Sequence, residues 1–181
     1  MTEKRLAAGE VNYPGIGSTE HGRPPEGYPC LVTQTYLGEG LALYHRVAQG
    51  ILTWELQRRS GLRVRTESGV VVTGARVVSG FGVGPFRIKA PCEVVWVRRP
   101  VPGEGPQSAG FGYGTLPGHV FVGEESFVLE RDAAGDVWFV VDVFSNPAAR
   151  WVRALRPLVP IFQRLYIAHL ARAARRLARD L

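Results

Sequence analysis

Between Leu62 and Ser145 the chain passes through seven short extended runs, at 62–66, 70–78, 86–89, 92–98, 108–115, 120–131 and 137–144. Turn residues separate several of them, notably Pro100-Val101-Pro102-Gly103 and Ala133-Ala134-Gly135-Asp136. Consecutive strands joined this tightly predict an antiparallel meander and not βαβ units. Ahead of the meander, Cys30 to Leu37 reads as a strand from its β-branched and aromatic content. Residues 39–59 then read as a helix, with Leu43, Val47, Leu52 and Leu56 four or five apart and a stop at Arg58-Arg59-Ser60-Gly61. Gly50 is the weak point of that helix, at about 1 kcal/mol relative to Ala.

After the meander, Asn146-Pro147 reads as an N-cap followed by proline at the first helical position. Trp151, Leu155, Leu158, Phe162, Leu165 and His169 then fall along one stripe. For residues 150–165 the simplest expectation is a stripe that fills the sheet while the opposite face is solvated. Pro157 and Pro160 are placed to kink or interrupt the helix. Strand, helix, meander and long amphipathic helix is the element order of the helix-grip fold. The expected class is therefore α+β, with a curved antiparallel sheet of about six to seven strands wrapped on a C-terminal helix. A cavity is expected between sheet and helix. Residues 1–181 read as one domain: an irregular lead-in at 1–29, the strand–helix–sheet body at 30–145, and a basic amphipathic helix at 147–181.

A content of 45% hydrophobic residues with four Trp, six Tyr and eight Phe excludes a mainly disordered chain. No apolar run reaches the ~20 residues of a membrane span, and the N-terminus lacks the apolar stretch of a secretory signal. Cys30 and Cys92 are too few for a disulfide framework and lack metal-ligand spacing, so a reducing cytoplasm is the expected location. Neither a metal nor a cofactor is implied. The net charge of +6 comes from the C-terminal end, where residues 147–181 hold eight Arg against one Asp and the remainder of the chain carries −1. Charge on a single helix without a recognised motif argues against nucleic acid. The Arg cluster leaves an anionic membrane surface open as a partner.

The run Gly110-Phe111-Gly112-Tyr113-Gly114-Thr115 has a period of two, so one strand face is bare while the other carries aromatics and a hydroxyl. Gly80-Phe81-Gly82-Val83-Gly84 repeats the alternation. Rows of glycine in a strand mark tight curvature or close approach by a helix or ligand. They are not phosphate loops, because Pro117 and Arg87 stand where G-x-G-x-x-G needs its third glycine.

Ala90-Pro91-Cys92-Glu93-Val94-Val95-Trp96-Val97 followed by GFGYGTLPGHVFVGEESFVLER at 110–131, with the lead-in NYPGIGSTEHGRPPEGY at 12–28, resembles the domain of unknown function family DUF1990. Its most specific part is Gly114-Thr115-Leu116-Pro117-Gly118-His119 with Gly123-Glu124-Glu125. The resemblance implies a relative of the START and Bet v 1-like superfamily, which agrees with the element order. It implies no activity. Relatives in that superfamily commonly bind lipids, sterols, polyketides or quinones, and some are cyclases or hydrolases.

Three functions follow from the residues. The first is binding of a small apolar molecule between sheet and helix, with Tyr113, Thr115, His119, Trp54, Trp96 and Phe162 as expected contacts. The second is an enzyme using His119 with Glu124 or Glu125 as an acid–base pair. Adjacent Glu124 and Glu125 point to opposite faces if extended, so at most one serves a given pocket. The third is a peripheral membrane or partner-binding protein acting through the Arg-rich helix. Cys92, in a strand, is expected to be buried and inert. Oligomeric state is not legible.

Overall fold

The computed structural model describes the backbone of residues 7–83 and 86–179, and the side chains of those residues outside 81–87. In chain order the elements are α1 (Ser18–His21), β1 (Cys30–Glu39), α2 (Leu41–Leu52), α3 (Glu55–Arg59), β2 (Arg63–Thr66), β3 (Arg76–Val83) and β4 (Phe86–Arg98). There follow β5 (Gln107–Thr115), β6 (Phe121–Arg131), β7 (Asp136–Pro147), α4 (Arg150–Ala154), a 3₁₀ turn (Arg156–Leu158) and α5 (Val159–Arg179). The strands form one seven-stranded antiparallel sheet in the order β1-β7-β6-β5-β4-β3-β2. β1 and β2 are neighbours in sequence but occupy opposite edges, so α2 and α3 carry the chain across one face. With α5 on that same face, this is the helix-grip fold.

Four local expectations are corrected. The helix at 39–59 breaks at Trp54, which adopts a left-handed backbone (φ 64°), and not at Gly50. Gly50 instead lets α5 close in, since a Cβ there would lie 3.0 Å from Leu177 Cδ1. Of the run 70–78 only the end joins β3, because residues 72–75 form a turn with Gly74 at φ 82°. The runs at 86–89 and 92–98 are one strand, continuous through Pro91. At the far end β7 runs on through Pro147, so Asn146 is paired in a strand and Ala149 is the N-cap of α4. The prolines split the last helix: it stops at Ala154, turns through Arg156–Leu158 and resumes at Val159. Pro160 then sits in the first turn of α5, where its missing N–H has no helical partner to lose.

The concave face of the sheet carries Phe111, Phe127, Leu129, Phe139 and Val141, packed against Tyr44, Ile51 and Trp54 and against Leu170, Ala174 and Leu177 of α5. This face is the core. The convex face meets the lead-in, which crosses it as a strap. Gly112 and Gly114 of β5 face this strap. A Cβ on Gly112 would come within 2.2 Å of Trp96 Nε1, and one on Gly114 within 2.2 Å of Tyr13 Oη. The bare glycine face is therefore a seat for two aromatic side chains, which is the close-approach reading with protein side chains as the approaching groups. In the companion run, Gly84 lies outside the described residues.

Gly112→Ala should destabilise the fold by about 2 kcal/mol through overpacking against a hydrogen-bonded indole. Urea unfolding monitored by far-UV circular dichroism checks this, and an unchanged midpoint would show that Trp96 can yield.

Candidate functional site

The β5–β6 hairpin turns at Leu116–Val120 and sets its register so that Gly114 faces Glu124 and Tyr113 faces Glu125 across the ladder. Strand alternation then sends the two carboxylates to opposite sides of the sheet. Glu124 points to the strap, where it is 2% exposed. It accepts hydrogen bonds from Tyr13 Oη and the Gly17 amide at 2.7 Å each, from the Thr19 amide at 2.9 Å, and from the Thr19 hydroxyl. Trp96 Nε1 reaches the same carboxylate at 3.4 Å while donating to Thr19 Oγ1 at 3.0 Å. A carboxyl group with this many donors is a structural anchor, and its side chain is spent on the lead-in.

Glu125 points the other way, into a cavity of about 880 Å³ between the sheet and the segment running from α4 into α5. Ala90, Cys92, Tyr113, Thr115 and Val143 line the sheet side, and Val152, Val159, Phe162 and Tyr166 line the helical side. Tyr113 Oη donates to Glu125 Oε2 at 3.0 Å, and Tyr166 Oη lies 3.5 Å from the same oxygen. Burial raises the Glu125 carboxyl from 4.5 to about 7, against the opposing pull of the two phenol hydrogen bonds. Burial, and then the neighbouring Glu125 charge, push both phenols well above the ordinary tyrosine value. The result is a polar cluster in a mainly apolar wall, able to donate or accept a proton near neutral pH.

His119 sits in the β5–β6 turn and also lines the cavity. Its Nδ1 lies 2.9 Å from the Phe121 amide and 3.0 Å from the Phe121 carbonyl. Burial lowers its pKa from 6.5 to about 4, only partly offset by the Phe121 carbonyl. The ring is thus neutral at pH 7. Cys92 is 3% exposed, and burial followed by the Glu125 charge holds its thiol protonated. A thiol in that state is a poor nucleophile.

Of the residues picked from sequence, Tyr113, Thr115, His119, Glu125 and Phe162 converge on this cavity. Trp54 and Trp96 do not line it. Trp54 is fully buried in the core, edge-on to Phe111, with its Nε1 donating to Ser68 O at 3.1 Å. Trp96 is carried to the convex face by the irregularity between Val94 and Trp96 in the β4–β5 register. Thr115, at the strand end, divides its hydroxyl between the strap and the hairpin: it bonds Asn12 Oδ1 at 2.7 Å and accepts the Gly123 amide at 3.0 Å. Tyr166 is the residue the sequence reading missed as a site group. It reads as one more apolar position of the basic helix, and only the inward face of α5, set by Ile167 and Leu170, turns it to the cavity. Among the described residues, no cluster of three His, Cys, Asp or Glu is placed to hold a metal ion.

Comparison with known proteins agrees with this architecture. A Deinococcus radiodurans UPF0548 protein is 54% identical over 67 residues, and an Arabidopsis thaliana UPF0548 protein is 39% identical over 70. These matches cover 37% and 39% of this chain and 34% of each relative, so the alignment spans about a third of the relatives' length. Among solved structures, a hypothetical protein from Helicobacter pylori superposes with TM-score 0.59 at 8% identity, covering 97% of this chain and all of that one. Norcoclaurine synthase from Thalictrum flavum, a point mutant in complex with a transition-state analogue, gives 0.51 at 10% identity, covering 85% of this chain and 97% of that one. Major latex-like protein 151 from Panax ginseng gives 0.52 at 13%, covering 82% and 95%. Identities this low establish the Bet v 1-like fold and nothing more. The family model described as "Domain of unknown function (DUF1990)" matches residues 12–173, nearly the whole chain, and the protein belongs to that family.

Proposed function

We propose that this protein binds a small, mainly apolar molecule bearing one polar group, held between the concave sheet and α5. The observation that carries the reading is the cavity of about 880 Å³ with its polar cluster of Tyr113, Glu125 and Tyr166. That volume lies within the ~300–1,000 Å³ range of small-molecule sites, and apolar walls with a few convergent polar groups are what such sites need. Further support comes from the titration of the walls: His119 and Glu125 are both neutral just below pH 7, which lowers the cost of admitting an apolar guest. The Panax and Thalictrum proteins share the fold, and the latter is a complex with a transition-state analogue.

Native mass spectrometry of gently purified protein should show an adduct of a few hundred daltons. Saturable binding of 8-anilinonaphthalene-1-sulfonate should accompany it. In the Tyr113→Phe/Tyr166→Phe double variant the adduct should bind about tenfold more weakly, the loss of one or two hydrogen bonds to the polar group. No adduct and no saturable dye binding by the folded wild type would mean that the walls close on themselves.

A second reading, an enzyme of cyclase or hydrolase type, has its support in the same carboxyl, poised near pH 7 beside two phenols and in one cavity with His119. It is tested by returning the extracted ligand to apo protein and looking for conversion that Glu125→Gln abolishes.

A further inference from the structure

The stripe Leu158, Ile161, Phe162 and Leu165 has the spacing i, i+3, i+4, i+7 that normally faces a core. Here it faces outward, at 44%, 55%, 58% and 62% exposure, and Trp151 and Leu155 beside it are 51% and 43% exposed. The expectation that this stripe fills the sheet is overturned, because the break at Leu155–Leu158 lifts the start of α5 over the cavity mouth. Val159 is buried beside the cavity, and from Tyr166 and Ile167 onward α5 packs into the core. The exposed apolar side chains are interleaved with Arg150, Arg153, Arg156 and Arg164, all exposed, and no Asp or Glu occurs between Asp142 and Asp180. Phe162 and Leu165 line the cavity as well as facing solvent, so the patch continues into its mouth.

From this geometry we infer that residues 150–165 are a docking surface for an anionic phospholipid bilayer. Apolar side chains enter the acyl boundary while the four guanidinium groups meet lipid phosphates. Docking is peripheral, since among the described residues no helix is long and apolar enough to cross a membrane. The inference stands on exposure and charge alone. If the cavity holds an apolar guest, the docked mouth gives that guest a path into lipid without crossing water.

The test is co-sedimentation of the full chain with vesicles of phosphatidylcholine containing phosphatidylglycerol, set against phosphatidylcholine alone. Binding is expected only to the anionic vesicles and should fall as salt rises. Leu158→Ser/Ile161→Ser, two positions that leave the cavity walls untouched, should lower the partition coefficient about tenfold or more. Changing Arg150, Arg153, Arg156 and Arg164 to Gln should do the same. The matched set Arg172, Arg175, Arg176 and Arg179 to Gln should leave it nearly unchanged, and circular dichroism verifies that each variant is folded. Vesicle-dependent fluorescence change should vanish in Trp151→Phe. The inference is overturned if folded wild type ignores anionic vesicles, or if the distal Arg set abolishes binding while the 150–165 variants do not. It is equally overturned if the wild type is a dimer that Leu158→Ser/Ile161→Ser dissociates, since a second copy would then own the face. Ligand binding in the cavity is read separately by mass, so either result can fail without the other.

Discussion

Glu124→Ala should lower stability by roughly 3–5 kcal/mol and release the strap from the sheet. The carboxylate that this change removes is the acceptor for Tyr13 Oη, the Gly17 amide and Thr19, which lose their partner, while Trp96 keeps its bond to Thr19 Oγ1. An unsatisfied buried donor costs about 1–3 kcal/mol, so even with partial relaxation several kcal/mol are lost. Thr19 is buried and Tyr13 is 7% exposed, so water can replace the carboxylate only if the strap lifts. Limited proteolysis should therefore cut within residues 7–28 of the variant long before it cuts wild type. Glu124→Gln keeps one acceptor oxygen but turns an NH₂ toward the same donors, and should fall between the two. A strap that stays protected in Glu124→Ala would show that the glycine seat, and not the carboxylate, holds it.

The second large effect is a pair of pH slopes of opposite sign. In the folded protein Glu125 titrates near 7 instead of 4.5, and His119 near 4 instead of 6.5. Between about pH 4.5 and 6.5 the unfolded chain carries a proton on His119 and none on Glu125, whereas the folded chain carries it on Glu125 and none on His119. The proton counts match, so the two groups together add almost no slope to stability across that window. Glu125→Gln unmasks His119: relative to wild type, stability should fall as pH drops from 6.5 towards 4, by up to about 1.4 kcal/mol per unit. His119→Gln unmasks Glu125, whose contribution is complete below pH 4.5 and is lost as pH rises through 7, at up to about the same rate. Urea midpoints at pH 4.5, 5.5 and 6.5 distinguish the cases, and slopes of the same sign in both variants would contradict the placement of these two groups in one dry cavity.

How much of this was legible in the chain differs from residue to residue. The meander, the flanking helix and the closing amphipathic helix follow from period and turn chemistry, which are local. That Glu124 and Glu125 part company is also local, because alternation requires it. Which of them faces the cavity is not local, since it depends on the register fixed around the Pro117-Gly118-His119 turn and on which side the helices cover. Counting back from that turn pairs Tyr113 with Glu125, a signal that was present but needs the hairpin to be placed first. Gly112 and Gly114 signalled either tight curvature or the approach of a helix or ligand, and only the fold names the Tyr13 and Trp96 side chains as the visitors. Trp54 and Trp96 looked equally suited to a cavity because a tryptophan's composition says nothing of the face it takes. Where the last helix fails its expectation, the cause is again tertiary. Pro157 breaks it locally, but the outward turn of Leu158–Leu165 depends on the cavity beneath.

The strand order carries a consequence for how the chain is made. Among the described residues β1 finds its one sheet neighbour in β7, and the strap finds its anchor in Glu124, with Thr19 and that carboxylate 105 residues apart. At synthesis rates of ~5–20 residues per second, the strap and β1 emerge and wait roughly 5–20 s before their partners exist. During that interval the meander can zip by nearest-neighbour hairpins, while β1 remains an unpaired ribbon carrying Val32 and Tyr36. The strap and β1 leave the ribosome ahead of the meander yet are among the last elements to be built in.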